Sequence, residues 1–275
     1  MTVWICATCA NHYPDTAAPP STPCRICADE RQWLPPAGQS WTTLAELREA
    51  GHRSEIREVE PGLLGIGTTP AVAIGQRSLV MRTPDGNLLW DPSGFIDDAA
   101  IDAVRAIGGL VGVAASHPHF YASIVEWAQA FDAPILLPEA DAHWLTRPDP
   151  LLRTWSGTLG VLPGATLIQC GGHFAGSAAV HWAAGAGGLG ALLVGDTIMV
   201  TPGEDRVTFL RSAPNRLPLP EPAVRQVVDA VAPYRYDRIY GGWWEPVLRH
   251  GAADVVRSSA ARYVEWLSGP ADGDW

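Results

Sequence analysis

The sequence is poor in charge and in cysteine, and both shortages narrow its chemistry. Only 17% of its 275 residues are charged, and 29 acidic side chains outnumber 19 basic ones. A formal charge of −10, with a pI near 5.2, offers no attraction to a nucleic-acid backbone or an anionic membrane. Neither is expected as a partner. The opening Met1-Thr2-Val3-Trp4-Ile5-Cys6 has no basic segment ahead of an apolar run, so no secretory leader is read there. The longest weakly polar stretch, 183–195, is too short and too rich in glycine to span a bilayer. A cytoplasmic protein is expected. No internal repeat is visible.

What is present describes a globular chain. Apolar residues make up 47%, enough for an independent core, while 28 glycines and 24 prolines without any period imply many turns. The length allows one large domain preceded by a very small one.

Four of the five cysteines fall into two pairs, Cys6-Ala7-Thr8-Cys9 and Cys24-Arg25-Ile26-Cys27. Each two-residue gap lets a tight knuckle bring both sulfurs to one ion, and four thiolates suit tetrahedral zinc. Pro14, Pro19, Pro20 and Pro23 lie between the pairs, in a segment that cannot fold on apolar burial alone. Metal binding would supply the missing folding free energy. With sulfur at every position this zinc is structural, and residues 1–36 are expected to form a zinc-ribbon-like module. His12 lies near enough to replace one cysteine but reads better as a loop residue. The acidic balance favours a protein surface, or the chain's own main domain, as the module's contact.

After the linker Leu34-Pro35-Pro36-Ala37-Gly38, residues 37–275 read as the main domain. Thr42 or Thr43 caps a short helix with Glu46 near the capping-box position, and Gly51 closes it. Residues 56–67 suggest a strand pair, and Pro84-Asp85-Gly86-Asn87 a hairpin turn. Its second strand ends in Asp91, placed to orient a ligand or to open a turn. Helical spacing recurs over 97–108, 121–131, 222–231 and 252–267, with the chain from Gly269-Pro270 onward read as a frayed end.

Between two of these helices the apolar run Leu110–Ala115 leads into Ser116-His117-Pro118-His119. An i, i+2 pair on extended backbone directs both rings to one side, so one ion could engage both. Further on, strand 166–170 ends in Gly171-Gly172-His173, whose neighbouring glycines leave the ring free to approach a metal. Strand 189–194 ends in Gly195-Asp196. His117, His119, His173 and Asp196 are thus expected to gather at strand ends.

This order of motifs resembles the metallo-β-lactamase fold superfamily of metal-dependent hydrolases, over about residues 55–265. Asp91 matches the first motif, His117 and His119 the opening of the His-x-His-x-Asp-His loop, His173 the Gly-flanked histidine and Asp196 the Gly-Asp. The resemblance implies an α/β fold, a four-layer αββα sandwich. The departures are Tyr121 and Ala122 where the family has Asp and His, and Tyr240-Gly241-Gly242-Trp243-Trp244 where it has a last histidine. Of the second metal's ligands only Asp196 remains, so one zinc at the three histidines is expected. Asp196 is expected to hold or deprotonate its water, or to close the shell. Tyr121, Trp243 and Trp244 are expected to fill the volume of the missing metal, with the Tyr121 hydroxyl as a donor to a developing oxyanion. Cys170 reads as a buried strand cysteine, Arg211 as a surface arginine, and His52, His143, His181 and His250 as structural or solvated.

The function implied is hydrolysis of a small ester, thioester, lactone or amide substrate. A second possibility is a catalytically eroded member that binds a ligand or a protein through the pocket and the ribbon.

Overall fold

A computed structural model describes residues 2–269, and the expected frayed end from Pro270 lies outside them. Two mixed sheets face each other. The first, in spatial order Leu152–Trp155, Ile135–Pro138, Gly112–Ala114, Gly86–Trp90, Ser78–Thr83, Leu63–Thr69, Arg53–Glu60, is parallel over its first four strands and antiparallel over the rest. The second runs Thr158–Leu162, Ala165–Gln169, Ala178–Trp182, Ala191–Leu193, Arg238–Tyr240, Val247–Leu248. Alternation along the strands decides which layer each side chain enters. Leu79, Met81, Leu88 and Trp90 meet Leu167, Val180, Trp182 and Leu193 between the sheets. Val80 and Leu89 point the other way, onto Val104, Ile124 and Trp127.

Those outer partners belong to helices Asp98–Ala106 and Ile124–Phe131. Helices Glu221–Val231 and Ala252–Ser268 cover the second sheet through Val224, Val227, Val231 and Val256. The αββα sandwich is therefore the architecture. The short helix expected behind Thr42 or Thr43 is present, with Thr43 capping Leu44–Glu49 by accepting from the Glu46 amide; the next helix is capped by Asp97, which accepts from Ala100. Among the described residues no helix is long and apolar enough to cross a membrane.

The amino-terminal segment is less separate than its composition suggests. Thr2–Cys6 pairs with His12–Thr16 on one side and with Trp41–Thr42 on the other, so the small sheet draws its third strand from beyond the prolines. Ile5 and Ala10 share a buried cluster with Leu47, Val72 and Phe95. At Gly94 an added Cβ would stand 2.4 Å from that of Ala10, so the segment rests directly on the main domain's backbone.

Candidate metal centres and their surroundings

In each sheet the strands that carry the candidate ligands run the same way, so Asp91, His117, His173 and Asp196 leave the sandwich at one edge. One ligand atom each from His117, His119, His173 and Asp196 lies within 4.8 Å of the others. Nε2 of His173 is 3.3 Å from Nδ1 of His119, and Oδ2 of Asp196 is 3.6 Å from Nε2 of His117 and 4.0 Å from Nε2 of His173. The edge of a tetrahedron with zinc–nitrogen bonds of ordinary length is about 3.4 Å. The donor set fits such an ion.

The local backbone differs from expectation. His117 is extended, but Pro118–Phe120 forms a 3-10 turn, so the two rings meet nearly edge to face at 78° and present different nitrogens. Proline at the first position of the turn, where no amide is required, explains the change.

Partners behind the ligands fix them. Asp91 accepts the Ser116 amide at 2.6 Å, the Ser116 hydroxyl lies 2.8 Å from Nδ1 of His117, and Nδ1 of His173 lies 3.0 Å from the Leu210 carbonyl. A proton on each Nδ1 leaves both Nε2 lone pairs facing the centre. All four ligands are at most 5% exposed. Burial holds His117 and His119 well below their ordinary range and His173 at about 4, so all three are neutral, as ligands must be. Burial also lifts Asp91 and Asp196 to about 7. Nε2 of His117 and Oδ1 of Asp196 have no hydrogen-bond partner, an arrangement that is costly unless a cation sits there.

The region beside this centre corrects one expected role. Tyr121 is buried in the outer layer and its hydroxyl donates to the Asp141 carbonyl at 3.2 Å, so it does not face a reacting group. Its neighbour Phe120 occupies the flank instead, with its ring 4.5 Å from that of His117 and 5.7 Å from that of Trp243. Gly242 permits this, since a Cβ there would lie 2.5 Å from the Phe120 ring. Trp243 donates its indole proton to the Ile74 carbonyl, while Trp244 lies over Gly65 and Gly67 on the first sheet. A cavity of about 60 Å³ lies alongside, against Gly195, Gly241, Gly242 and Trp243. Cys170 is fully buried and its thiol is pushed up to about 12, which leaves no thiolate.

The second centre is the cluster of buried cysteines Cys6, Cys9, Cys24 and Cys27, whose sulfurs also lie within 4.8 Å of one another. Cys6 and Cys27 are 3.7 Å apart and Cys9 and Cys24 3.6 Å, against about 3.8 Å for the edge of a zinc–thiolate tetrahedron. Gln39 donates to Cys6 and Asn11 to Cys9. His12 is not a substitute ligand: its Nδ1 pairs with Glu126 at 3.0 Å.

The module that carries these cysteines sits on the loops of the histidine centre. Arg31 donates toward the His173 carbonyl at 3.5 Å and stacks 3.8 Å from the Phe174 ring centre. Asn11 donates to the Pro118 carbonyl at 3.3 Å, Thr146 to that of His12, and Arg25 to that of His143. Arg211 is ion-paired to Glu30, and Asn215 donates to the Glu30 and Gln32 carbonyls. Ser116, Phe120, Asn11 and Arg31 were not singled out by their sequence context. Ser116 and Phe120 carried only a local signal, their adjacency to His117 and His119.

Comparison with known proteins places these features. No family model matches the chain. Protein YmaE of Bacillus subtilis (strain 168), described as uncharacterized, is 41% identical over 270 residues, covering 98% of each chain. Among solved structures, the metallo-β-lactamase DIM-1 aligns with a TM-score of 0.57 at 13% identity, over 76% of this chain and 98% of that one. The mono-zinc form of the metallo-β-lactamase FIM-1 from Pseudomonas aeruginosa gives 0.57 at 14% identity, over 79% and 97%. A B3 metallo-β-lactamase with an active-site glutamic acid gives 0.53 at 16% identity, over 82% and 94%.

Proposed function

We propose that this chain, which has the fold of the metallo-β-lactamases, is a metal-dependent hydrolase with one catalytic ion, acting on a small carbonyl substrate. The observation that carries this reading is the convergence of His117, His119, His173 and Asp196, neutral rings and an unpartnered carboxylate oxygen gathered at one strand edge. The chemistry a zinc ion supplies in such a donor set is Lewis acidity and acidification of a water. Asp196 Oδ1 is the group to orient that water or take its proton. The substrate class, an ester, thioester, lactone or amide, is taken from the fold and from the carbonyl polarisation that such a donor set would bring. The four-cysteine centre is read as structural zinc, because every position around it is sulfur. A cytoplasmic location is part of the reading, in keeping with four thiols gathered to hold a metal rather than paired as disulfides.

A second reading is favoured by one observation: the four side chains are almost inaccessible, and Asp196 Oδ2 lies close enough to the nitrogens of His117 and His173 to take the fourth position around an ion. On that reading the site holds its ion without turnover. Metal analysis of wild type and of His117→Ala/His119→Ala, followed by ester and lactam hydrolysis panels, tests both. Two zinc ions falling to one, with hydrolysis lost, supports the enzyme. Two falling to one with no hydrolysis in either supports the closed site. One zinc in both proteins overturns the histidine centre.

A further inference from the structure

Each cysteine knuckle reaches out to one loop of the histidine centre. From the first knuckle, Asn11 is 1% exposed and its Nδ2 donates both to Cys9 Sγ at 3.5 Å and to the Pro118 carbonyl at 3.3 Å. Pro118 is the residue between His117 and His119. The Asn11 carbonyl in turn accepts the Cys6 amide at 3.0 Å, so both cysteines of that knuckle hold this residue in place. From the second knuckle, a run of turns linked by Ala28 to Cys24 and by Asp29 to Ile26 leads to Arg31. Asp29 grips the Arg31 guanidinium with two contacts of 2.6 and 2.8 Å, and a third nitrogen points to the His173 carbonyl at 3.5 Å. Ser212 fixes the Arg31 backbone by donating to its carbonyl at 3.0 Å.

We propose that Asn11 and Arg31 are positioning residues that couple the two metal centres, so that filling the cysteine centre raises the metal affinity of the histidine centre. This rests on reading both clusters as metal sites. An ion among the four sulfurs fixes the distance between the knuckles. Through Asn11 and Arg31 that distance becomes the separation of the His117-Pro118-His119 turn from the His173 loop, which the histidine centre needs to close its tetrahedron. Coupling of this kind is reciprocal, so a filled histidine centre also strengthens metal binding at the cysteines.

The test is an anaerobic titration of the metal-free full-length chain with Co(II). Thiolate charge-transfer absorption reports the cysteine centre, and the visible bands that remain after subtracting the spectrum of His117→Ala saturated with Co(II) report the histidine centre. In wild type both fill. Asn11→Leu keeps the volume and removes the donor; the cysteine centre, which loses the hydrogen bond to Cys9, is expected still to take up one ion while affinity at the histidines falls about tenfold. Arg31→Gln, at a partly exposed position, is expected to act in the same direction and keeps the test open if Asn11→Leu does not fold. Cys9→Ser should weaken the histidine centre, and His117→Ala the cysteine centre. A loss of thermal stability with histidine-site affinity within about twofold of wild type in both Asn11→Leu and Arg31→Gln overturns the coupling. Uptake of a single Co(II) by wild type, at sulfur only, overturns it together with the reading of the histidine centre. Those two failures are distinguished by the wild-type stoichiometry.

Discussion

The Ser116 hydroxyl oxygen lies 2.8 Å from Nδ1 of His117, and the backbone amide of the same serine is held by Asp91 at 2.6 Å. One residue thus links the buried carboxylate at the end of one strand to the first ligand at the end of the next. Ser116→Ala removes the partner that fixes the His117 tautomer. Metal affinity at the histidine centre is expected to fall about 10- to 100-fold, with the cysteine-bound ion retained, as measured by competition against a chelator.

Gly195 guards the same contact from the opposite sheet. Its φ is +51°, and a Cβ there would stand 2.0 Å from the Ser116 hydroxyl oxygen and 3.0 Å from Asp91 Oδ2. Gly195→Ala therefore combines backbone strain with displacement of the hydroxyl. A destabilisation of about 1–3 kcal/mol is expected from the strain. Loss of one metal ion per chain should accompany it, read by denaturant unfolding and elemental analysis.

Asp196 is the one carboxylate in the ligand set, and its Oδ1 has no other partner. Asp196→Asn keeps the shape and removes the base. Hydrolysis of whichever ester or lactam the wild type accepts is expected to fall by about 10²–10⁴-fold, with one ion still bound at the histidines. Equal loss of metal and of rate would instead assign Asp196 a purely ligating part.

These residues differ in how plainly the sequence announced them. The four paired cysteines, the three histidines and Asp196 were legible because metal ligation requires particular residue types, and short spacings or flanking glycines mark where they fall. The hairpin at Pro84-Asp85-Gly86-Asn87 and the cap at Thr43 were legible for the same reason, since each acts within a few residues. Tyr121 was expected near the centre because it stands where the resembled family has an aspartate; in the structure its ring enters the outer layer and Phe120 takes the flank of His117. Asn11 and Arg31 left no local trace: their partners at Pro118 and His173 lie more than a hundred residues away along the chain. Composition likewise set the amino-terminal module apart, whereas its strand pairing and buried contacts join it to the rest.

The seam between module and main domain has an acid limit. Burial would raise the Glu126 carboxyl, but His12 and Arg147 outweigh it and hold the group at about 2, below its ordinary 4.5. A depressed folded-state value means that the stabilisation is complete above about pH 4.5 and is lost as the pH falls toward 2. Wild type is expected to exceed Glu126→Gln in stability at pH 6 by on the order of 2 kcal/mol, and the gap should narrow at pH 3. Urea unfolding of the two proteins at both pH values measures it.

The placement of the module also sets an order of events during synthesis. Its last thiol, Cys27, is made almost two hundred residues before Asn215, the farthest along the chain of the side chains that grip it. At ordinary rates of translation that interval is roughly ten to forty seconds. Until then the module can rest only on the parts of the main domain already made, Val72, Phe95 and the Pro118 carbonyl among them. The two carbonyl contacts of Asn215 on the module can form only after that interval, later in synthesis than the contacts at Pro118 and His173.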